Sequence, residues 1–438
     1  MSKGTDVFAL IANVLPTAGE LSSGKKVGKR VINRLIRLID EEITDPRQEG
    51  KVVYPLHEII VLTFFGVLAG ADNFSAVAAC AHYKEQFFRT FLPLKQGIPT
   101  HDTFNRVFSL IDLAEMERAV VTFVSDSFND LRKLLKVPEP EMKQLCVDGK
   151  VSRGSGRNPE TEQEIRDIQT LHVYSVADGI CLSSRQIDGK SNEIPAAQKI
   201  LATMDLKNTL VTFDAMHTQT ETVAIIVAHK GYYLGGLKGN QQTMLEESAY
   251  LFTEGYLQQA QSDARLHCRY TEKAHNQIEI MDFTLARIPA AGVAGSVFSP
   301  WAGIKSVLRY DRQTEHLVNG KKTREIRYYI SNCSGNVSEL AAAVRAHWQV
   351  ESFHWLLDVM FSDDANSTVN RRASGNMLLL KKMALSLYRL MKPMEKAKHL
   401  SDVKRLFEYA YEEGIYRLLA HCDAVSIQKA LEQAQGTS

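Results

Sequence analysis

The sequence predicts an α/β protein in which a mixed sheet is flanked by helices, with a helical region before the sheet and a helical tail after it. Residues 1–140 show helical periodicity and no convincing alternating strands. Between residues 142 and 252, strand and helix patterns follow in the order β-β-β-α-β-α-β-α, and residues 263–335 are again β-rich. Alternation of this kind is typical of a sheet covered by helices.

The helical region contains two marked helix starts. Pro55 precedes the apolar run 59–71, and proline is well tolerated in the first turn of a helix. Thr100 or Asp102 can cap a helix over 99–112. The apolar residues of this second helix recur on one face: Phe104, Val107, Phe108 and Ile111.

The sheet region carries two hairpin signals. Asp178-Gly179 joins two strands within 170–188, and Asn319-Gly320 leads into a strand over 323–332. The elements expected between these hairpins are a helix at 194–204, a strand at 209–216, a helix at 218–229, a strand at 232–239 and a helix at 240–252. Two further amphipathic helices are expected at 337–360 and 376–391.

Composition limits the class of protein. The chain has 438 residues, 45% of them hydrophobic and 24% charged, which excludes a disordered protein and allows two or three domains. A net charge of +1 neither supports nor excludes nucleic-acid binding. Six scattered cysteines without a CxxC pair argue against a zinc ribbon or a secreted disulfide scaffold. No signal peptide or membrane span is expected, so the sequence predicts a cytoplasmic protein.

The segment 347–359, HWQVESFHWLLDV, predicts an aromatic helix with acids along one side. Glu351 and Asp358 are seven residues apart, so two helical turns place both carboxylates on one face. Trp348, Trp355 and Leu356 are expected to form the buried side. Acids on such a helix either pair with nearby cations or hold a metal ion. Asp358 is expected either to support the metal ligands from behind or to pair with an arginine.

Three acids stand out by their positions. Asp148 is expected at the end of the first strand, and Asp214 at the end of the fourth strand, beside the first in a ribonuclease-H-like order. Glu351 lies on a later helix that can pack against these strand ends. A cluster of carboxylates binds hard divalent ions, and two such ions support phosphoryl transfer.

Each acid also has a simpler interpretation. Asp148 precedes Gly149, and Asp-Gly is often only a turn. Asp214 could merely cap the following helix, and Glu351 could be an ordinary salt-bridged residue. From spacing alone, both the catalytic and the structural interpretations remain open.

Long segments of the chain resemble the DDE transposases of bacterial insertion sequences, most closely the H-repeat-associated branch. The catalytic-region segments that carry the resemblance are 147-VDGKVSRGS-155, 189-GKSNEIPA-196, 211-VTFDAMHTQ-219, 237-LKGNQ-241 and 347-HWQVESFHWLLDVMFSDD-364. Two N-terminal segments resemble that branch's associated domain: 51-KVVYPLHEII-60 and 98-IPTHDTFNRVFS-109. The resemblance covers roughly residues 45–390.

The resemblance implies a ribonuclease-H-like catalytic core in which Asp148, Asp214 and Glu351 are the catalytic residues and metal ligands. Two Mg²⁺ ions, with Mn²⁺ as a substitute, are the implied cofactors. The implied domains are a helical DNA-binding or associated domain (1–140), the first part of the core (141–254), a β-rich insertion (255–335), the second part of the core with the Glu351 helix (336–395) and a helical tail (396–438).

Other polar residues near the expected core are candidates for contacts with DNA. Lys150 follows Asp148 by two residues and is expected to meet a phosphate. His347 and His354 lie within a turn of Glu351, where a packed, hydrogen-bonded histidine is the commoner alternative. The remaining candidates lie on loops or in basic clusters: Lys190, Asn192, Lys238, Asn240, Arg371 and Arg372. Glu193 and Gln241 lie on the same loops. Basic runs at 21–37 and 371–400 are either contacts with DNA phosphates or solvated helix faces.

The function predicted from the resemblance is a transposase that cuts the ends of an insertion sequence and joins their 3′-hydroxyls to target DNA. The expected partners are double-stranded DNA, at the element ends and the target, and a second copy of the chain. The protein would be bacterial, cytoplasmic and nucleoid-associated when bound. A catalytically silent DNA-binding protein and a hydrolytic nuclease of the same fold are the alternatives.

Overall fold

A computed structural model describes residues 24–156, 167–187, 193–274, 276–366, 368 and 370–436. It contains nine strands: β1 Lys143–Ser152, β2 Ile168–Ser175, β3 Ile180–Ile187, β4 Thr209–Phe213, β5 Tyr232–Leu237, β6 His267–Ala274, β7 Gln277–Arg287, β8 Ser306–His316 and β9 Lys322–Ser331. These strands form one mixed sheet in the order β3-β2-β1-β4-β5-β9-β8-β7-β6. The described residues thus confirm the predicted α/β class.

Helices precede, flank and follow the sheet. The N-terminal helices are α1 Lys25–Glu42, α2 Leu56–Leu68, α3 Phe74–Tyr83, α4 Glu85–Phe88, α5 His101–Phe108 and α6 Leu113–Leu134. Those between strands are α7 Glu193–Leu201, α8 Thr220–Ala228, α9 Gln242–Tyr250 and α10 Glu254–Ala260. The last helices are α11 Val337–Phe361, α12 Arg371–Met394, α13 Leu400–Tyr409, α14 Tyr411–His421 and α15 Ala424–Gly436.

The centre of the sheet brings β1 and β4 side by side. These two strands run parallel, with Val147 opposite Phe213, and β4 is parallel to β5. All residues of β2 and β4 are buried, as expected for strands covered on both faces. Strand β5 pairs antiparallel with β9, so β6 to β9 continue the same sheet.

Both predicted hairpins are present. Gly179 lies between β2 and β3 and Gly320 between β8 and β9, each with a positive φ that glycine adopts without steric cost. The prediction that Asp148 ends its strand is wrong. Strand β1 continues to Ser152 because its pairing with β2 extends beyond its pairing with β4. Asp148-Gly149 is therefore strand, not a turn, and Asp148 is the first residue past the parallel pairing.

One hydrophobic core joins the N-terminal helices to the C-terminal ones. It contains residues from α1 to α6 and from α12 to α15, including Phe65 and Tyr388. The Tyr411 hydroxyl donates to the Phe65 carbonyl, and Arg30 forms an ion pair with Asp423. Helix α12 is buried on nearly all sides because it lies between this bundle and the sheet. No helix in the described ranges is both long and apolar enough to cross a membrane.

Candidate active site at the ends of strands β1 and β4

The parallel pairing of β1 and β4 brings two of the predicted acids together. Asp148 follows Val147 and Asp214 follows Phe213, the last residues paired between the two strands. Helix α11 packs against both strands and carries Glu351, which is exposed. Asp148 and Asp214 are half-buried, so the three carboxylates lie at the boundary between the core and solvent.

The electrostatics of Asp148 indicate that Asp214 and Glu351 lie near it. The pKa of Asp148 is raised to about 7, mainly by burial and in addition by repulsion from the neighbouring Asp214 and Glu351 carboxylates. A hydrogen bond from the Gly149 backbone and the nearby His217 oppose this effect. A perturbed carboxyl group beside two other acids is typical of a functional site.

The loop after β4 fixes the Asp214 carboxylate. Asp214 Oδ1 accepts hydrogen bonds from the backbone N–H groups of Met216 at 3.0 Å and His217 at 3.2 Å. Asn240 Nδ2 donates to the Ala215 carbonyl at 2.8 Å, which ties the loop after β5 to this turn. Asn240, predicted to contact DNA, is thus placed where it holds the Asp214 loop.

Two histidines in contact with each other lie next to Asp148, on the buried side of its carboxylate. His354 Nδ1 lies 3.6 Å from Asp148 Oδ2, and His354 Nε2 lies 2.9 Å from His172 Nδ1. Burial, with Lys150 and Lys382 nearby, lowers the pKa of His354 to about 3, so the imidazole is neutral. Both contacts are satisfied when His172 Nδ1–H donates to His354 and His354 Nδ1–H points at Asp148. His172 gave no sequence signal because it lies within a continuous buried strand.

His347 lies on the other side of Glu351, near Asp214. Its Nδ1 lies 2.8 Å from Thr212 Oγ1 in β4. Burial lowers the pKa of His347 to about 4, so it too is neutral at physiological pH. The two histidines of the HWQVESFHW segment therefore pack helix α11 onto the sheet on either side of the acids.

The expected burial of the tryptophans is wrong. Trp355 is 61% exposed and Trp348 is 36% exposed, while the buried face of α11 comprises other residues. Near Glu351 that face contains Val350, Phe353, His354 and Leu357. Leu356 is only partly buried. The helix is rotated because Phe353 packs against His172 and Tyr174 of β2. Trp348 and Trp355 therefore flank Glu351 on the solvent side.

Lys150 is buried in a cluster of aspartates at the end of α11. Its Nζ lies 2.7 Å from Asp358, 3.1 Å from Asp363 and 3.0 Å from Asp364. Although burial opposes the charge, these carboxylates raise the pKa of Lys150. The partner of Asp358 is thus this lysine rather than an arginine. The three aspartates lie close enough to hold a metal ion, but the Lys150 ammonium group already lies within 3.1 Å of all three.

The other predicted contacts are widely distributed. Lys190 and Asn192 lie outside the described residues, and Lys238 is exposed just after β5. Arg371 and Arg372 begin α12, where Arg372 donates to the Leu110 carbonyl. The run 371–400 does not form one continuous basic surface, because Lys381 and Lys382 are only 0% and 4% exposed. In the run 21–37, Lys25, Lys26 and Lys29 are exposed.

The residues at β1 and β4 fit a hard divalent cation. Their donors are carboxylate oxygens, which Mg²⁺ and Mn²⁺ prefer. The repulsion that raises the pKa of Asp148 is of the kind that a cation relieves. Asp148, Asp214 and Glu351 are therefore the candidate ligands.

Replacing Asp148 by Asn is expected to stabilise the protein in EDTA. The folded-state pKa of about 7 lies above the ordinary 3.8, so ionisation of Asp148 costs stability as the pH rises. The gain for Asp148→Asn accumulates between about pH 4 and pH 7 and stays constant above. With solvent screening it amounts to about 1–3 kcal/mol at pH 8. Thermal unfolding at pH 4 and pH 8 measures it; an equal or lower stability at pH 8 would contradict the assigned electrostatics.

Two known families match the chain. The family described as DDE_Tnp_1-associated matches residues 41–124, and the family described as Transposase DDE domain matches residues 139–387. The second match spans more than half of the chain. The chain therefore belongs to the DDE transposase family, which confirms the family predicted from the sequence.

Curated relatives are similar over most of their length. The putative transposase YncI of Escherichia coli O157:H7 is 30% identical over 360 residues, covering 79% of this chain and 85% of the relative. The H repeat-associated putative transposase YhhI of Escherichia coli K12 is 27% identical over 325 residues, covering 74% and 82%. A solved piggyBac transposase synaptic complex with hairpin DNA covers 95% of this chain and 82% of its own, at 11% identity. Its TM-score of 0.38 is too low for inferences about topology.

Proposed function

We propose that this transposase cuts the ends of an insertion sequence and joins their 3′-hydroxyls to target DNA at Asp148, Asp214 and Glu351. The observation that carries the proposal is the electrostatic coupling of these three acids at adjacent ends of parallel strands. The order of the five strands from β3 to β5, antiparallel and then parallel, supports a ribonuclease-H-like core. A sheet of this kind offers a rigid platform for ligands at its strand ends.

Two bound Mg²⁺ ions would supply activation of the attacking oxygen and stabilisation of the leaving oxygen. The chain itself orients the ligands. Backbone N–H groups of Met216 and His217 hold Asp214, and the His172–His354 pair supports Asp148. Glu351 approaches from helix α11, whose end is fixed to β1 by the Lys150 cluster. Asp148 and Asp214 are thus held, and Glu351 is placed by its helix, before substrate binds, which lowers the cost of reaching the reactive geometry.

The direct test uses a labelled duplex that carries the sequence flanking the coding region, with a supercoiled target plasmid. Metal-dependent nicking at the element end, followed by covalent joining to the plasmid, is the expected result. Cutting without joining would replace the proposal by a hydrolytic nuclease. Binding without either reaction, in Mg²⁺ and in Mn²⁺, would replace it by a silent DNA-binding protein.

The solvent side of α11 is proposed to contact DNA. Trp355 and Trp348 lie one helical turn after and before Glu351, so substrate at the acids would pass over both rings. Arg312 and Arg327 lie over the Trp348 ring, with guanidinium carbons 5.3 Å and 5.8 Å from its centroid. Aromatic rings beside cations are a common platform for bases and phosphates.

Trp355→Ala is expected to weaken binding of the element-end DNA by about 5- to 100-fold, because one stacked base contributes roughly 1–3 kcal/mol. The melting temperature should stay unchanged, since 61% of the side chain is exposed. Tyr409→Ala, which removes an 85% exposed aromatic residue from α13, is the matched control. Fluorescence anisotropy in EDTA measures both variants. If the Trp355 variant bound DNA with the same affinity as wild type, this face of α11 would not contact the DNA.

A further inference from the structure

A fourth carboxylate lies buried behind the candidate metal ligands. Glu193, the first residue of α7, is 1% exposed. Its Oε2 accepts a hydrogen bond from Gln169 Nε2 at 2.6 Å, and its Oε1 lies 3.2 Å from His217 Nε2. Both carboxylate oxygens thus have a partner, and burial of the group is compensated.

Glu193 also explains why residue 149, next to Asp148, is a glycine. A Cβ at residue 149 would lie 2.1 Å from Glu193 Oε1, closer than atoms can approach. Gly149 has no positive φ, so its backbone conformation does not require glycine. The close approach of the Glu193 carboxylate requires glycine at this position. A side chain at residue 149 would displace either that carboxylate or strand β1 next to Asp148.

His217 connects Glu193 to Asp214, the candidate ligand that follows β4. The bond to Glu193 places the ring proton on Nε2, since a carboxylate only accepts. The backbone N–H of the same residue donates to Asp214 Oδ1. His217 therefore links the buried Glu193 carboxylate directly to one candidate ligand, Asp214.

We propose that Glu193 is a positioning residue of the metal site, acting through His217 on Asp214 and through the Gly149 backbone on Asp148. This inference rests on the proposed function for the identity of the site. Carboxylates that orient residues around a metal centre typically change metal affinity or activity about 10- to 100-fold when removed.

The test measures Mn²⁺ binding to the protein without DNA, by calorimetry and by the Mn²⁺-induced rise in melting temperature. Glu193→Gln keeps the size of the side chain and can keep one hydrogen bond, so it should weaken Mn²⁺ binding about 10-fold. Glu193→Met loses both acceptors and should weaken it about 100-fold. Glu221→Gln, which changes an exposed acid on α8, should bind Mn²⁺ like wild type.

A double-mutant cycle separates positioning from general loss of packing. If Glu193 acts through His217, then Glu193→Gln added to His217→Gln should weaken Mn²⁺ binding by less than twofold more. If the fold-changes in Mn²⁺ affinity caused by the two substitutions simply multiplied, the proposal would be overturned. It would also be overturned if Glu193→Gln bound Mn²⁺ within twofold of the wild-type affinity. DNA binding in EDTA should be equal in all variants.

The outcomes also separate this inference from the proposed function. Wild type that binds Mn²⁺ but neither cuts nor joins DNA would overturn the function while leaving the role of Glu193 supported by the variants. Wild type that cuts DNA, with variants showing the same Mn²⁺ dependence, would overturn the role of Glu193 alone. If Glu193→Met does not fold, Glu193→Gln still decides the question.

Discussion

Lys150→Met is expected to lower the free energy of unfolding by about 3–5 kcal/mol near pH 8, because it leaves an aspartate cluster without its cation. Asp363, one of the three partners, is only 1% exposed. The neighbouring acids raise the pKa of Lys150, although burial opposes this, so the ammonium group stabilises the fold throughout the neutral range. That stability would be lost only as the pH rises through the raised folded-state pKa. Denaturant unfolding measures the change.

The same strand provides a control for Lys150. Lys143 also lies on β1, but its ion pair with Glu139 is exposed on both sides. Lys143→Met should therefore change stability by less than about 0.5 kcal/mol. If Lys150→Met and Lys143→Met had the same small effect, the buried cluster would not be what fixes the end of α11 to β1.

Asp214→Asn is expected to abolish cutting and joining, with a loss of at least about 1,000-fold. The substitution keeps the hydrogen-bond acceptor for Met216 and His217 but removes the charge that would bind metal. Rates of end cleavage in Mg²⁺ and in Mn²⁺ measure the loss. DNA binding in EDTA should remain, since the fold around the loop is kept.

Asp205→Asn is the matched control for Asp214. Asp205 is exposed and lies just before β4, at the opposite end of the same strand. Its variant should cut DNA at the wild-type rate. Residual cutting by Asp214→Asn above a few per cent of wild type would exclude Asp214 as a metal ligand.

Much of the acid site was predictable because it depends on local order along the chain. Val147 and Phe213 end apolar runs, and adjacent parallel strands bring the residues that follow them together. Glu351 lies on a helix with clear periodicity. These signals need no knowledge of which distant side chains meet.

The orientation of helix α11 was not predictable in the same way. Aromatic residues usually mark the buried face of a helix, yet here Trp348 and Trp355 are exposed. Phe353 and His354 fill the core instead because they pack against His172. Periodicity identifies a helix but does not decide which of two apolar faces meets the sheet.

The buried charges were not predicted either, because their partners are distant in the sequence. Lys150 meets Asp363 across more than 200 residues of sequence, and no spacing rule connects them. Lys381 and Lys382 read as a basic pair, but the core surrounds them. Lysine is almost never fully buried, so sequence alone favours the surface.

Two groups of carboxylates are candidates for metal binding: the candidate ligands around Asp214, and the aspartates at 358, 363 and 364 around Lys150. Fe²⁺ bound in place of Mg²⁺ cuts the backbone beside its ligands when ascorbate and peroxide are added, and mass spectrometry locates the cuts. We expect cuts near Asp148, Asp214 and Glu351, with the cut near Asp214 lost in Asp214→Asn. Cuts confined to residues 358–364, unchanged in that variant, would contradict the assignment of the metal site to the ends of β1 and β4.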